Sequence, residues 1–154
     1  YTPAISVDGI THRITTEKWT QVFSTNLFGA VTVVNSALPH FMKKKEGHIQ
    51  LVASSSSDKP ELYSSAYSAS KSALVSYAKS IAQEYARYGI ICYAYSPGFF
   101  NSDLIKDEKR IKQIETRIPH GKIANKEEIA RFSTHLLDTA HYINGANIIF
   151  NGGM

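Results

Sequence analysis

Tyr67 and Lys71 stand four residues apart in Ala66-Tyr67-Ser68-Ala69-Ser70-Lys71. On a helix that spacing places both side chains on one face. An ammonium beside a phenol favours the phenolate, so the pair predicts a tyrosine whose pKa falls from about 10 toward neutrality. Such a tyrosine can serve as general acid or base. Ser54 lies upstream, at the exit of an apolar run. In an open α/β sheet, reactive groups gather outside the carboxyl ends of the strands. A serine hydroxyl there could donate to a substrate carbonyl oxygen while the tyrosine supplies a proton. Ser54 to Ser57 are consecutive serines, and the sequence leaves the choice among them open. Further on comes Ser96-Pro97-Gly98-Phe99-Phe100-Asn101-Ser102. Its Pro-Gly pair lets backbone approach a ligand closely and reads equally as an ordinary turn.

These residues need elements to position them. Residues 1–14 show no period and read as loop. Thr16 is a fair N-cap for a helix over Glu17 to Lys45, in which Val22, Phe23, Leu27, Ala30, Val31, Val34, Ala37, Leu38 and Phe41 recur at helical spacing. Pro39 should bend or interrupt it, and Gly47 stops it. Ile49 to Ala53 reads as a buried strand, Ser54 to Ser65 as loop, and Ala66 to Arg87 as a second long helix capped by Gly89. Ile90 to Tyr95 is a second strand. Residues 99–122 read as irregular with short helices, Glu127 to Leu137 as helix, and Asn147 to Phe150 as a third strand after an Asn144-Gly145 turn. Strands alternating with helices imply an α/β fold with parallel pairing.

The chain has 154 residues, 43% of them hydrophobic and 19% charged, which suits one globular domain spanning 1–154. No stretch is expected to cross a bilayer, and no secretory signal is seen. A lone cysteine, Cys92, excludes an internal disulfide framework and suits a reducing, cytoplasmic setting. The net charge of +4 comes without aromatic residues interleaved among basic ones, so neither nucleic acid nor membrane is expected as a partner. His135 and His141 are not at ligand spacing on one helix face, and no metal site is expected.

Taken together the motifs resemble the classical short-chain dehydrogenase/reductase family, and they come in family order. Asn26 stands in Thr25-Asn26-Leu27-Phe28-Gly29. Gly47 to Ser54 matches the strand ending in the active-site serine, and Ala66 to Lys71 the Tyr-x-x-x-Lys helix start. Pro97-Gly98-x-x-x-Ser102 matches the nicotinamide-side loop, and Ile143-Asn144-Gly145 with Asn151 to Met154 the final turn and terminus. The resemblance implies a Rossmann-like doubly wound parallel sheet, of which this chain holds the second half. It implies an NAD(P)-dependent oxidoreductase moving a hydride between nicotinamide and a carbonyl or alcohol substrate, with NADP favoured slightly over NAD. Tyr67 would donate or accept the proton. Lys71 would lower its pKa and bind the nicotinamide ribose, while Ser54 polarises the substrate oxygen. Asn26 would hold a water linking Lys71 to solvent. Pro97, Gly98, Phe100 and Ser102 would position the nicotinamide.

The family's N-terminal dinucleotide-binding half is expected to be absent. The nine glycines form no Gly-x-x-x-Gly-x-Gly or G-x-G-x-x-G loop. An isolated chain of this span should then be inactive and expose an apolar sheet edge. Within the family, Pro97 to Met154 looks most similar to 3-oxoacyl-carrier-protein reductases. Lys45 lies where those present a basic residue to an acidic carrier protein, and Tyr88, beside Arg87, replaces the second. A small-molecule substrate, free or carrier-bound, and a homo-oligomer, dimer or tetramer, are implied. Phe23, Ala30, Val34, Tyr77, Ile81 and Tyr85 are the expected apolar surplus at a twofold interface of the two long helices. Two other readings stand beside this one: a nucleotide-sugar epimerase or dehydratase, and a truncated, non-enzymatic fragment or interaction module.

Overall fold

The computed structural model describes residues 3–101 and 108–154. Three parallel strands form one sheet in the order β1-β2-β3, with β1 at Gly47–Val52, β2 at Ile90–Pro97 and β3 at Asn147–Phe150. In register, Gly47 faces Ile90 and Val52 faces Tyr95, while Ala94 faces Asn147 and Pro97 faces Phe150. Helices cover both faces. α1 (Thr16–Phe23), α2 (Gly29–Lys44) and α3 (Ser65–Tyr85) pack on one, and α5 (Lys126–Thr139) on the other, with a short α4 (Glu108–Glu115) between β2 and α5.

The central strand explains the layering. Ile90, Cys92 and Ala94 point into the core shared with α2 and α3, whereas Tyr93 and Tyr95 point toward α5. A parallel strand buried on both faces is expected to be largely apolar, and β2 is, save for Ser96, whose hydroxyl is bonded to Asn147 Oδ1. From β1, Ile49 and Leu51 join the α2–α3 side, and Gln50 reaches the opposite side to bond Tyr93 Oη and the Ser133 carbonyl of α5.

α1 and α2 are one helix broken by a π-turn at Ser24–Phe28. Its buried residues are Val22, Asn26, Ala30, Val34 and Leu38, four apart throughout. In a straight α-helix each step of four overshoots a full turn by about 40°, so such a stripe would wind off its face. The wider π-turn takes out much of that drift and keeps the stripe against α3 and β1.

Several expectations are corrected. Thr15, not Thr16, caps α1, its hydroxyl accepting from Lys18 N–H at 3.4 Å. Pro39 does not interrupt α2, which runs to Lys44 and ends on Lys45 in the left-handed region (φ 57°). The ring removes one hydrogen bond on an exposed face, where water can satisfy the orphaned carbonyl. Ala30, Val34 and Ile81 belong to the internal core, at 0%, 3% and 4% exposure; the large apolar side chains left exposed on this face are Phe28 and Val33. The run Thr16–Lys44 contains an 18-residue window of mean hydropathy 1.2 and is long and apolar enough to cross a membrane by length and composition, contrary to the expectation that no stretch would be. Here its apolar stripe packs against the protein's own core.

Candidate active site

β1 delivers Ser54 just past its end, and α3 begins at Ser65, so Tyr67 sits in the first turn of α3 facing the same strand exits. The structure selects among the serines. Ser54 is extended and nearly buried, its hydroxyl accepts from Ser56 N–H at 3.2 Å, and its side chain lies close enough to the Tyr67 phenol to favour the ionised form. Lys71, one turn along α3, is 2% exposed. Its ammonium donates to the Val52 carbonyl at 2.8 Å and lies 5.7 Å from the centre of the Tyr67 ring.

The electrostatics differ from the sequence expectation. Burial holds the Tyr67 phenol above the ordinary tyrosine value, and the Ser54 side chain opposes that rise. Lys71 stands over the ring rather than at the phenolic oxygen, so its charge does not depress the phenol as helical spacing alone predicts. Burial instead lowers Lys71 itself, to about 8. At neutral pH the lysine is therefore a charged group kept in the interior by one carbonyl partner and the aromatic face.

Asn26 comes to the site from the π-turn and is fully buried. Its side-chain amide behaves like a peptide partner. Oδ1 accepts from Ile5 N–H at 2.8 Å, and Nδ2 donates to Ile5 O at 3.0 Å and to Ser70 Oγ at 2.9 Å. Ser70 passes the link on, donating to the Tyr67 carbonyl at 2.7 Å. Sequence reading missed Ser70, although its place three residues after Tyr67 was the available signal. The Asn26 side chain is thus spent on pinning the N-terminal segment to α3.

The β2 exit lies beside this group. Pro97 ends the strand, and Gly98 N–H donates to Phe150 O at 2.8 Å. A Cβ on Gly98 would sit 2.8 Å from Asn151 Cα, so only glycine fits there. Ala124 brackets Phe100, its N–H donating to Phe99 O at 3.1 Å and its carbonyl accepting from Asn101 N–H at 2.9 Å. Phe100's own N–H and C=O take no part in that bridge. Ser102 lies outside the described residues. Among the described residues no cluster of His, Cys, Asp and Glu could hold a metal.

Chemically, the site offers a hydroxyl beside a phenol, with a buried ammonium behind them at the carboxyl ends of two parallel strands. It can bind a carbonyl or alkoxide oxygen and pass one proton to or from it.

The chain is 35% identical to 2,3-dihydro-2,3-dihydroxybenzoate dehydrogenase of Escherichia coli (strain K12), over 94% of this chain and 64% of that protein. It is 30% identical to 3-oxoacyl-[acyl-carrier-protein] reductase FabG of the same organism, over 97% of this chain and 63% of that one. It therefore spans less than two thirds of the length of these curated relatives. A solved structure assigned as an NAD(P)-dependent gluconate 5-dehydrogenase from Beutenbergia cavernae, with NADP bound at low occupancy, superposes with a TM-score of 0.91 at 28% identity, covering 97% of this chain and 62% of that one. The sequence profile of the family described as enoyl-(acyl carrier protein) reductase matches residues 1–154. Motif order, parallel α/β architecture and this full-length match place the chain in the short-chain dehydrogenase/reductase family, to which it belongs.

Proposed function

We propose that these residues are the catalytic half of an NAD(P)-dependent oxidoreductase that interconverts a carbonyl and an alcohol. One observation carries the reading: Lys71 is buried against the Tyr67 ring with its ammonium on Val52 O, and Ser54 stands beside the phenol. Tyr67 donates its phenolic proton to the substrate oxygen in reduction and takes it back in oxidation. Ser54 fixes that oxygen by hydrogen bonding. Burial keeps Tyr67 protonated at neutral pH, which suits the reductive direction.

The residues fit a nicotinamide cofactor. An ammonium has three N–H donors, and Lys71 spends one on Val52 O, which leaves donors for the hydroxyls of a ribose. Gly98 lets the backbone come close, with Pro97 before it and Phe100 after it in the same exit loop. When bound, the cofactor supplies or accepts the hydride. NADP is favoured over NAD, because the structurally similar B. cavernae protein holds NADP. The matched relatives carry the names of dehydrogenases and reductases, which favours this reading over an epimerase or dehydratase.

The finer reading is reduction of a 3-oxoacyl thioester, supported by the FabG relative. Lys45 and Arg87 are both exposed, and the Lys45 carbonyl approaches Gly89, two residues beyond Arg87. The Arg87 guanidinium lies 4.9 Å from the Tyr88 ring and bonds its hydroxyl at 3.0 Å. That gives an acidic carrier protein two cations at one corner. The test is NADPH oxidation by the full-length protein with 3-oxoacyl thioesters, set against NADP reduction with polyols. Turnover of thioesters alone supports the finer reading, turnover of polyols alone discards it, and neither activity discards the oxidoreductase.

A further inference from the structure

The hydrogen bonds around Ser54 show how the turn that carries it is held. β1 ends at Val52, and residues 55–57 form a single turn of 3-10 helix. Two consecutive residues of α3 grip that segment at its two ends. Lys71 donates to Val52 O at 2.8 Å, two residues before Ser54. Ser72 donates to Ser57 O at 2.8 Å, three residues after it, and shares that proton with Ser68 O of its own helix at 3.0 Å. The Ser57 hydroxyl then closes the turn on itself, donating to the Ser54 carbonyl at 2.6 Å. A serine on a helix ordinarily returns its proton to the carbonyl four residues back. Here the shorter of the two contacts leaves the helix for the turn. The Ser57 oxygen also lies 3.5 Å from that of Ser96, a fully buried residue of β2 whose own proton goes to Asn147 Oδ1 at 2.6 Å.

We propose that Ser57 and Ser72 are positioning residues that keep the Ser54 hydroxyl beside the Tyr67 phenol, locking the far end of the turn to α3 as Lys71 locks its near end. The inference rests on the oxidoreductase reading for its kinetic consequence, while its geometric consequence is measurable without turnover. Both residues act through Ser54. Neither hydroxyl is bonded to the phenol or to Lys71.

The experiment follows the Tyr67 phenol directly, by NMR titration of ring-labelled tyrosine in the full-length protein, alongside steady-state kinetics. The Ser54 side chain lowers the Tyr67 titration midpoint, so loosening Ser54 moves the midpoint up. Ser57→Ala and Ser72→Ala are expected to show that upward shift and to lower kcat roughly 5- to 10-fold with cofactor KM unchanged. Ser57→Thr keeps a hydroxyl and is expected to restore both. Ser55→Ala, a neighbour in the same turn outside this hydrogen-bond network, is expected to change neither. An unmoved midpoint in both alanine variants overturns the proposal even where melting temperature falls, because the link is then only structural. A shift of equal size in Ser55→Ala overturns it as well. If Ser57→Ala does not fold, Ser72→Ala and Ser57→Thr decide by the same criteria. Failure of the oxidoreductase reading is seen separately, as full turnover by Tyr67→Phe, and leaves the titration result intact.

Discussion

The two sides of the crevice are built differently. On the β1–α3 side, polar groups are sunk into the core: Asn26 and Ser70 are fully buried and Lys71 is 2% exposed. Each is bonded to backbone or side chain of another segment, Asn26 to Ile5, Ser70 to Asn26 and Lys71 to Val52. On the other side, the short helix α4 presents little to the body. α4 buries only Ile114, and the exposed pair Arg117–Glu61, 2.7 Å apart, ties its end to the loop before α3. Behind them a cleft of about 230 Å³ opens, lined by Phe99, Ile118, Ile123 and Phe150 among others. A proton-transfer group must be held within fractions of an ångström, and a buried, fully bonded network does that. A surface that receives varied substrates gains nothing from such rigidity and can be carried on loops.

The largest expected effect tests the rigid side. Tyr67→Phe should lower kcat by about 10² to 10⁴, the usual share of a general acid, while far-UV circular dichroism stays unchanged. Retained turnover would mean that the buried network serves stability alone. Leu51→Ala, at a position 1% exposed under this network, should cost about 2–5 kcal/mol in denaturant unfolding. A loss below 1 kcal/mol would show that the core beneath the site is looser than its packing.

Lys71 gives a pH signature of about 3 kcal/mol. The unfolded lysine holds its proton to about 10.5, and the folded one releases it near 8. Between those values the unfolded state binds more protons, so rising pH favours the fold; below pH 8 both states are protonated and the cost of burial is felt in full. The stability of the wild type relative to Lys71→Met should therefore climb between pH 8 and 10.5, and a flat difference would mean that water reaches the ammonium. The smallest effect belongs to the other side. Glu61→Gln should change global stability by less than about 1 kcal/mol, as exposed pairs do, yet raise amide exchange over residues 108–118. A larger global loss would erase the contrast between the two sides.

The parts written in local pattern were legible in the sequence. Helical spacing found Tyr67 with Lys71, the apolar runs located all three strands, and strand-end logic pointed to Ser54. The boundaries moved slightly: β1 begins two residues earlier and ends one earlier, at Gly47–Val52, and β2 ends two residues later, at Ile90–Pro97. What stayed hidden depends on contacts between distant segments. Ile5 lies in a stretch without period, and nothing local announces that Asn26 reaches it across 21 residues. The raised phenol of Tyr67 follows from burial, which a four-residue spacing cannot report. Ser70 and Ser72 look like interchangeable small residues until β1 and the π-turn are packed against α3. Val22, Ala30, Val34 and Leu38 belong to the apolar helical pattern of the sequence, whereas Asn26 does not, and nothing in that pattern announces the π-turn.

That π-turn makes the length of the first helix something selection must count. Loss of one residue between Ser24 and Phe28 would heal the helix locally, restoring regular α-helical bonding. Because the wide turn absorbs one extra residue, Val22 and Leu38 would keep nearly the same faces. What would go is the widened turn itself, from which Asn26 reaches Ile5 and Ser70. A deletion that improves the helix would therefore weaken the attachment of the N-terminal segment to α3. Substitutions at Ser24 or Thr25, neither of them buried, leave that count intact. The identity of Asn26 and the number of residues in the turn are what the attachment depends on.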